Sequence, residues 1–247
     1  MKPYFETDLG KLYHGDCLEI MPQLQPVDLV ITSPPYNLGN TTGGGFGDWS
    51  IWKSPPISKG YGVCNDKMPW DKYEKWQKKI ISCMWGTLRA NGAIFYNHKP
   101  RLRNKILWTP LSLIGKHPLR QIIIWHRGGC INFSPSHYAP SCEWIVVIAG
   151  PGFRLVNRSA SKDGDVWGFS PDTKNSHPAP FPQELPHRIL TTAVGQVVLD
   201  PFLGSGTTAV ACERLGRKWI GIEIEEKYCE IAAKRIEAEN KQLKMFR

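Results

Sequence analysis

The chain has 247 residues, of which 41% are hydrophobic and 21% charged, and this composition is typical of a single globular domain with a sizeable core. A formal net charge of +9 favours polyanionic partners such as nucleic acid, although a solvated basic surface without such a role would give the same charge. The cysteines form no C-x-x-C pair, and no apolar run approaches the roughly 20 residues that cross a bilayer. We therefore expect a soluble, cytoplasmic protein with reduced thiols, no metal site and no membrane partner.

Short apolar runs rich in β-branched residues alternate with amphipathic stretches, which is the pattern of a parallel α/β sheet with crossover helices. The predicted strands are Lys11 to Tyr13, Val27 to Thr32, Ala93 to Tyr96, Gln121 to Trp125, Trp144 to Ile148, Gln196 to Asp200 and Lys218 to Glu223. Together they predict a doubly wound, mostly parallel sheet of about seven strands in one domain spanning 1–247.

Helical spacing is clearest in two stretches. Asp71 to Arg89 has apolar residues three and four apart and is followed by Asn91-Gly92 as a stop signal, and Glu226 to Lys241 has one apolar stripe. Segments with neither pattern are predicted loops: Gly39 to Pro69, Arg127 to Pro140 and Pro151 to Pro182. Since the first is longer than most connections in a compact domain, we interpret 39–69 as a lid or binding loop.

A glycine-bearing turn near the end of the chain joins a strand that ends in Asp200 to a helix that begins near Thr207. Its glycines allow a ligand to approach the backbone, and the helix N-terminus is electropositive. The next strand ends in Glu223, where an acidic residue binds ribose hydroxyls in dinucleotide sites. Any α/β protein uses such turns for packing, but carboxylates at both strand ends favour a ligand. The turn lacks a P-loop lysine, so the pattern favours an adenosine without phosphates, as in S-adenosylmethionine.

A second candidate site begins where the strand Val27 to Thr32 runs into Ser33-Pro34-Pro35-Tyr36. Two prolines forbid further helix or sheet, so a rigid turn should present a hydroxyl, a carbonyl and an aromatic ring at the end of the strand. The Ser33 hydroxyl and the Pro34 carbonyl could accept both hydrogens of a ring-bound amine, while Tyr36 stacks on a flipped base. The alternative is an ordinary proline turn with a half-buried tyrosine, which is how we interpret Ser54-Pro55-Pro56-Ile57.

Together, the two motifs resemble the amino-methyltransferases of DNA, in the β arrangement in which the catalytic motif precedes the cofactor motif. The resemblance covers nearly the whole chain and depends on three blocks: Thr32 to Gly39, Asp200 to Thr208 and Asn175 to Leu190. It implies a Rossmann-like S-adenosylmethionine-dependent methyltransferase fold with loop insertions, in a bacterial or phage-encoded enzyme.

The resemblance also implies residue roles. Ser33, Pro34, Pro35 and Tyr36 would be catalytic, Asp16 and Cys17 would lie beside the adenine, Glu223 would bind the ribose, and Phe181 would form a pocket wall. The methionine and sulfonium would be surrounded by the loop that contains Asp200, Pro201, Phe202, Gly204, Ser205, Gly206, Thr207 and Thr208.

The target base and the DNA contacts follow less directly from the sequence. Serine at position 33 resembles cytosine-N4 enzymes more than adenine-N6 enzymes, which mostly carry aspartate or asparagine there, and adenine N6 is the alternative. A short target-recognition insertion is expected over 127–174, which suggests a homodimer on double-stranded DNA and leaves a cognate restriction nuclease as a further partner. An inactive relative that only binds DNA is the competing hypothesis. Basic and aromatic residues suited to DNA contacts are Lys99, Arg101, Arg103, Lys105, His126, Arg127, Arg154, Arg158, Lys162, Trp49, Trp52, Trp108 and Trp167.

Overall fold

The computed structural model describes residues 1–37, 68–128, 137–170 and 182–245. Phe181, Trp49, Trp52 and the second proline motif at 54–57 lie outside these ranges, as does the predicted loop 39–69 apart from its last two residues. The predicted recognition region 127–174 is described only in part.

Within the described residues, nine strands form one sheet and two form a separate hairpin. The sheet contains β1 (Phe5–Glu6), β2 (Gly10–His14), β3 (Val27–Thr32), β4 (Leu88–His98), β7 (Leu119–His126), β8 (Cys142–Ala149), β9 (Val166–Gly168), β10 (Val197–Asp200) and β11 (Lys218–Glu223), and the hairpin contains β5 (Arg101–Arg103) and β6 (Ile106–Trp108). The order across the sheet is β1-β2-β11-β10-β3-β4-β8-β7-β9, and only β1 and β8 run against the other strands.

Helices cover both faces of this sheet. They are α1 (Cys17–Ile20), α2 (Trp70–Thr87), α3 (Leu111–Ile114), α4 (Glu184–Thr192), α5 (Thr207–Leu215) and α6 (Glu226–Met245). In β3, Ile31 belongs to the apolar cluster that includes α4, α5 and α6, whereas its neighbour Val30 belongs to the cluster that includes α1, α2 and α3. Because the central strands of the sheet are buried on both faces, their sequences are continuous apolar runs.

The structure confirms the predicted doubly wound, mostly parallel α/β fold, and all seven predicted strands are present. The sheet contains two further short strands, β1 and β9, at its edges. The predicted boundary after α2 is wrong, because the helix ends at Thr87 and Asn91-Gly92 lies inside β4. Gly92 is needed there for packing rather than as a stop signal, since a Cβ on it would lie 2.7 Å from the Asp28 carbonyl oxygen. None of the helices in the described residues is both long enough and apolar enough to span a bilayer.

Candidate active site

Polar residues gather where β10 and β3 lie side by side at the centre of the sheet. From β10 the chain continues to β11 on one side, and from β3 it continues to β4 on the other, so the strand order diverges at this point. Ligands of open α/β sheets bind at the carboxyl ends of strands where the order diverges. The predicted catalytic residues follow β3 in a turn from Ser33 to Asn37, which we call the catalytic turn. The predicted cofactor residues follow β10 in a loop from Pro201 to Gly206, which we call the cofactor loop.

A hydrogen bond joins the two motifs directly. The Thr32 hydroxyl donates to Asp200 Oδ1 at 2.8 Å, and the Thr208 hydroxyl donates to Asp200 Oδ2 at 2.6 Å. The Phe202 amide also donates to Oδ1, at 3.1 Å. Burial raises the pKa of Asp200 to about 6, although these three hydrogen bonds lower it. Asp200 is 1% exposed, so its carboxylate holds β3, the cofactor loop and α5 together inside the protein.

Side chains of α2 hold the backbone of the catalytic turn in place. The prolines have no amide hydrogen to contribute, so side chains fix the turn instead. The Tyr73 hydroxyl donates to the Pro35 carbonyl at 2.9 Å, and the Gln77 amide approaches the same oxygen at 3.3 Å. Asn37 adopts a positive φ of 55°, and its side chain exchanges hydrogen bonds with the backbone of Met68. The turn is therefore fixed at both its centre and its end.

Tyr36 lies inside this turn and is 9% exposed. Its ring packs against His98, with centroids 4.6 Å apart. Its hydroxyl lies 2.8 Å from Ser33 Oγ, donates to Glu143 Oε2 at 2.9 Å and accepts from the Asn97 amide at 2.7 Å. From the sequence, only the ring of Tyr36 was predicted to have a role. The structure shows that its hydroxyl also has several hydrogen-bond partners.

His98, at the end of β4, supports the Tyr36 ring as a neutral side chain. It is fully buried, with Nε2 2.6 Å from the Tyr73 hydroxyl. Burial, together with the neighbouring Arg101 charge, lowers the pKa of His98 to about 3. Above that pH the imidazole stays neutral, so it contributes an aromatic surface and no charge.

Glu223, at the end of β11, binds the cofactor loop through the backbone. One carboxylate oxygen accepts the Gly204 amide at 2.8 Å and the other accepts the Glu225 amide at 2.9 Å. Burial raises the pKa of Glu223, and the two amide hydrogen bonds partly oppose the rise. Each carboxylate oxygen can accept a further hydrogen bond, so these contacts are compatible with a ligand hydroxyl.

Glycine is required at two positions of the cofactor loop. Gly204 and Gly206 have positive φ values of 53° and 87°, and a Cβ on Gly206 would lie 3.1 Å from the Ala232 side chain in α6. The loop also receives Arg235 of α6, whose guanidinium donates to the Ser205 carbonyl at 2.6 Å and to its hydroxyl at 2.8 Å. The loop is thus held close to α6 and leads directly into the N-terminus of α5.

The adjacent strand β2 brings Asp16 and Cys17 to the same edge of the sheet. The Gly15 amide donates to the Glu223 carbonyl at 2.9 Å, so the residues after β2 lie beside the end of β11. Asp16 caps α1 by accepting the Leu18 amide at 2.8 Å, and the thiol-bearing Cys17 is buried. Asp16, Glu223, Asp200 and Ser33 therefore lie at the ends of neighbouring parallel strands along this edge, although the sequence separates them widely.

Sequence reasoning missed Asn97 and Glu143. Asn97 immediately follows the predicted strand Ala93 to Tyr96, so its place at the carboxyl edge was available from the pattern. Glu143 was not, because β8 is antiparallel and its first residues, rather than its last, lie at this edge. The Glu143 carboxylate pairs with Arg127 at 3.2 Å. The described residues contain no group of three or more side chains suited to hold a metal ion.

Among the predicted DNA-contact residues, Arg101 contacts the catalytic turn and Arg103 contacts the first residue of α2. Arg103 stacks over Trp70 at 4.0 Å, and Arg101 donates to the Asn37 carbonyl at 3.3 Å. Trp108, at the end of the same hairpin, packs edge-on against His98 at 5.2 Å. The hairpin of β5 and β6 is therefore attached to the turn at its base, while its tip is exposed.

Comparisons with known proteins agree on one family. A family model described as DNA methylase, of the N6/N4 methyltransferases, matches residues 27–234. Type II methyltransferase M.ScaI of Streptomyces caespitosus is 31% identical, over 98% of this chain and 86% of that protein. Type II methyltransferase M2.DpnII of Streptococcus pneumoniae is also 31% identical, over 97% and 94%.

Solved structures show the same fold. PvuII DNA methyltransferase, described as cytosine-N4-specific, has a TM-score of 0.73 at 20% identity, covering 95% of this chain and 88% of that one. A complex of M1.HpyAVI with SAM has a TM-score of 0.62 at 22% identity, covering 92% and 100%. At these identities the likeness establishes the architecture.

Proposed function

This chain belongs to the N6/N4 DNA methylase family, and on that premise we propose that it transfers a methyl group from S-adenosylmethionine to the exocyclic N4 amine of a flipped cytosine in DNA. The observation that carries the proposal is the hydrogen bond from Thr32 to Asp200, because it holds the catalytic turn against the cofactor loop. A methyl donor and an amine held by these two segments would meet at the divergence point of the sheet.

The residues of the cofactor loop fit S-adenosylmethionine. Gly204 and Gly206 leave the backbone of this loop accessible to a ligand. The Glu223 carboxylate, at the end of the next strand, can still accept hydrogen bonds from a pair of ribose hydroxyls. In this proposal Glu223 binds the ribose, Asp16 and Cys17 face the adenine, and Phe202 contacts the methionine end, with Phe181 as a further wall. When bound, the cofactor supplies a methyl group on a sulfonium. The remaining residues predicted to bind the cofactor maintain the shape of the loop. They are Asp200, which is buried, Pro201, Ser205, Thr207 and Thr208.

The catalytic turn suits a planar amine. The nitrogen lone pair of such an amine is delocalised into the ring, and accepting its two hydrogens at the Ser33 hydroxyl and the Pro34 carbonyl favours a tetrahedral nitrogen with its lone pair exposed. Pro35 stiffens the turn, and the Tyr36 ring stacks on the flipped base. Rigid support from α2 maintains this geometry before the base arrives.

Cytosine N4 is the proposed target rather than adenine N6. Two features support it: the serine at position 33, and the likeness to a protein described as cytosine-N4-specific. Both bases present an amine beside a ring nitrogen, so adenine N6 is the specific alternative within the same family.

Double-stranded DNA is the proposed partner of the basic hairpin beside the turn. Arg103 and Lys105 supply charge there for phosphate contacts. We propose that residues 127–174 contribute sequence recognition and that 39–69 forms a lid or binding loop, in a single methyltransferase domain over 1–247. A second copy would extend the recognised site, and a cognate restriction nuclease is a further candidate partner, since the curated relatives are named type II methyltransferases.

The decisive experiment incubates the protein with methyl-labelled S-adenosylmethionine and unmethylated plasmid DNA, and then digests the DNA to nucleosides. We expect label in N4-methylcytosine. Label only in N6-methyladenine would reject cytosine and retain the family activity. No label at all, with DNA binding intact, would support the competing hypothesis of an inactive DNA-binding relative.

A further inference from the structure

The Tyr36 hydroxyl is the centre of a hydrogen-bond chain that runs from Ser33 to Glu143. Ser33 Oγ lies 2.8 Å from the Tyr36 oxygen, which lies 2.9 Å from Glu143 Oε2. The Asn97 amide donates to the same tyrosine oxygen at 2.7 Å and to Glu143 Oε2 at 3.0 Å. Glu143 is 6% exposed, and its other oxygen pairs with Arg127. A buried carboxylate is therefore connected to the catalytic hydroxyl through a single side chain.

This carboxylate fixes the direction of each hydrogen bond in the chain. An ionised carboxylate can only accept, so Tyr36 donates its one hydrogen to Glu143. The tyrosine oxygen then accepts from the Asn97 amide on one side and from the Ser33 hydroxyl on the other. Because Ser33 has one hydrogen and directs it at Tyr36, Ser33 Oγ is left as an acceptor, and its one other contact among the described residues is the Asn97 amide at 3.4 Å.

We propose that Glu143, acting through Tyr36, holds the Ser33 hydroxyl as an acceptor for the target amine and receives the proton that the amine loses on methylation. This proposal rests on the proposed function, since it requires a base amine against Ser33. Glu143 is a positioning residue in this scheme, because Ser33 and not Glu143 touches the base.

Methyl transfer forms a bond from the base nitrogen to carbon and breaks the bond from sulfur to carbon, so the nitrogen becomes cationic. One of its protons then moves to Ser33 Oγ, while the Ser33 hydrogen moves to Tyr36 and the Tyr36 hydrogen moves to Glu143. The nitrogen ends neutral, both hydroxyls keep one hydrogen, and Glu143 ends as a neutral acid. A serine hydroxyl alone is too weak a base to hold that proton, and the carboxylate supplies the missing basicity.

Two variants interrupt the chain at different places. Tyr36→Phe keeps the aromatic ring and removes the connecting hydroxyl, and Glu143→Gln keeps the shape and removes the basic group. We expect each to slow single-turnover methyl transfer to unmethylated plasmid DNA by ~100-fold or more, the range of general acid–base effects. Dissociation constants for the cofactor, and for DNA without cofactor, should stay within about threefold of wild type, because neither group is assigned to binding.

The double variant tests whether the two residues act as a unit. Residues in one chain are not additive, so Tyr36→Phe combined with Glu143→Gln should be about as slow as the slower single variant. A matched control is Glu239→Gln in α6, which removes another buried carboxylate paired with an arginine, Arg214 of α5, at 2.7 Å. We expect that control to lose stability and to keep the wild-type rate of transfer.

The pH dependence of the single-turnover rate distinguishes a proton-accepting role of Glu143 from a purely structural one. Among the described residues, the charged groups near Glu143 are Arg127, directly after β7, and Lys99, directly after β4, and His98 behind the Tyr36 ring is neutral. The wild-type single-turnover rate should depend on pH, and Tyr36→Phe should remove this dependence because it disconnects Ser33 from the carboxylate.

Wild-type rates of methyl transfer in both single variants would contradict the proposed proton transfer through Tyr36. Losses of rate that multiply in the double variant would contradict it as well. If Glu143→Gln does not fold, Tyr36→Phe alone decides, because it deletes only one oxygen. Failure of the proposed function looks different, since the wild-type protein would then transfer no label to DNA.

Discussion

The hydroxyl of Thr32 donates to the Asp200 carboxylate at 2.8 Å, and this bond links the last residue of β3 to the last residue of β10. Thr32→Val keeps the volume and removes the donor from a buried charge. We expect the free energy of unfolding to fall by about 1–3 kcal/mol at pH 7. Thr87→Val is the matched control, because that buried hydroxyl donates to the uncharged Met84 carbonyl, at 2.8 Å. Chemical denaturation would measure both, and an equal loss in the two variants would contradict a special role for the Thr32 bond.

Asp200 should make the folded protein less stable as pH rises. Its pKa is raised to about 6 in the folded state, above the ~3.9 of an unfolded aspartate, so the folded state binds more protons between these values. The stabilising effect is fully present below about pH 4 and lost above about pH 6. The stability advantage of wild type over Asp200→Asn should therefore shrink by on the order of 2–3 kcal/mol between pH 4 and pH 7.

Asp28→Asn is the control with the opposite sign. Burial alone would raise the pKa of Asp28, but Arg89 and the amides of Val197 and Gln196 lower it below its usual value. Wild type should therefore gain stability over Asp28→Asn as pH rises from the acid range. Denaturant titrations of the three proteins at pH 4 and pH 7 would measure these differences, and parallel trends in both variants would contradict the assignment.

Glu223→Gln should weaken cofactor binding and leave DNA binding unchanged. The carboxylate accepts amides at both oxygens, and a glutamine would present an NH₂ group to one of these donors. Losing hydrogen bonds to a charged group costs about 1.5–3 kcal/mol, which corresponds to a roughly 10- to 150-fold weaker affinity for S-adenosylmethionine. Calorimetric titration with the cofactor and a gel shift with DNA would separate the two.

Glu213→Gln is the matched control for that variant. Glu213 is also buried and accepts two hydrogen bonds, from Thr7 and from Trp219, but it lies at the far end of α5. Cofactor affinity should stay near wild type in this control. An equal loss of affinity in both variants would indicate general destabilisation instead of a ribose contact.

Lys105→Ala should weaken DNA binding in a manner that depends on salt. Lys105 lies at the exposed turn between β5 and β6, at the tip of the hairpin whose base contacts the catalytic turn through Arg101. Loss of one phosphate contact should reduce the slope of log affinity against log salt by about 0.9. Lys241→Ala removes another exposed charge, near the C-terminal end of α6, and should leave the slope unchanged. Fluorescence anisotropy at several salt concentrations measures this, and an unchanged slope for Lys105→Ala would remove the hairpin from the interface.

The family and the fold were predictable because their signals are local. Strand runs such as Val27 to Thr32 are buried on both faces and therefore continuously apolar, and the glycine turn at Gly204 to Gly206 is fixed by backbone conformation. The comparisons confirm the resemblance to DNA amino-methyltransferases. The residue roles at the site remain predictions.

Other features depended on pairing between distant segments. Glu143 reaches Tyr36 only because β8 runs against its neighbours, and no local pattern marks that direction. The end of α2 was misjudged because Asn91-Gly92 resembles a stop signal, whereas the need for glycine comes from the Asp28 backbone on another strand. The polar contacts of Asp200 were likewise invisible, since they come from β3 and α5.

The parallel pairing of β2 with β11 has a topological consequence. It places Gly10 to His14 beside Lys218 to Glu223, and α6 returns from β11 towards the edge of the sheet where β2 begins. This edge of the sheet is therefore built from two strands that most of the chain separates. The part of the site at Glu223 and Asp16 can form only when these distant segments have paired, so it depends on contacts of high sequence separation.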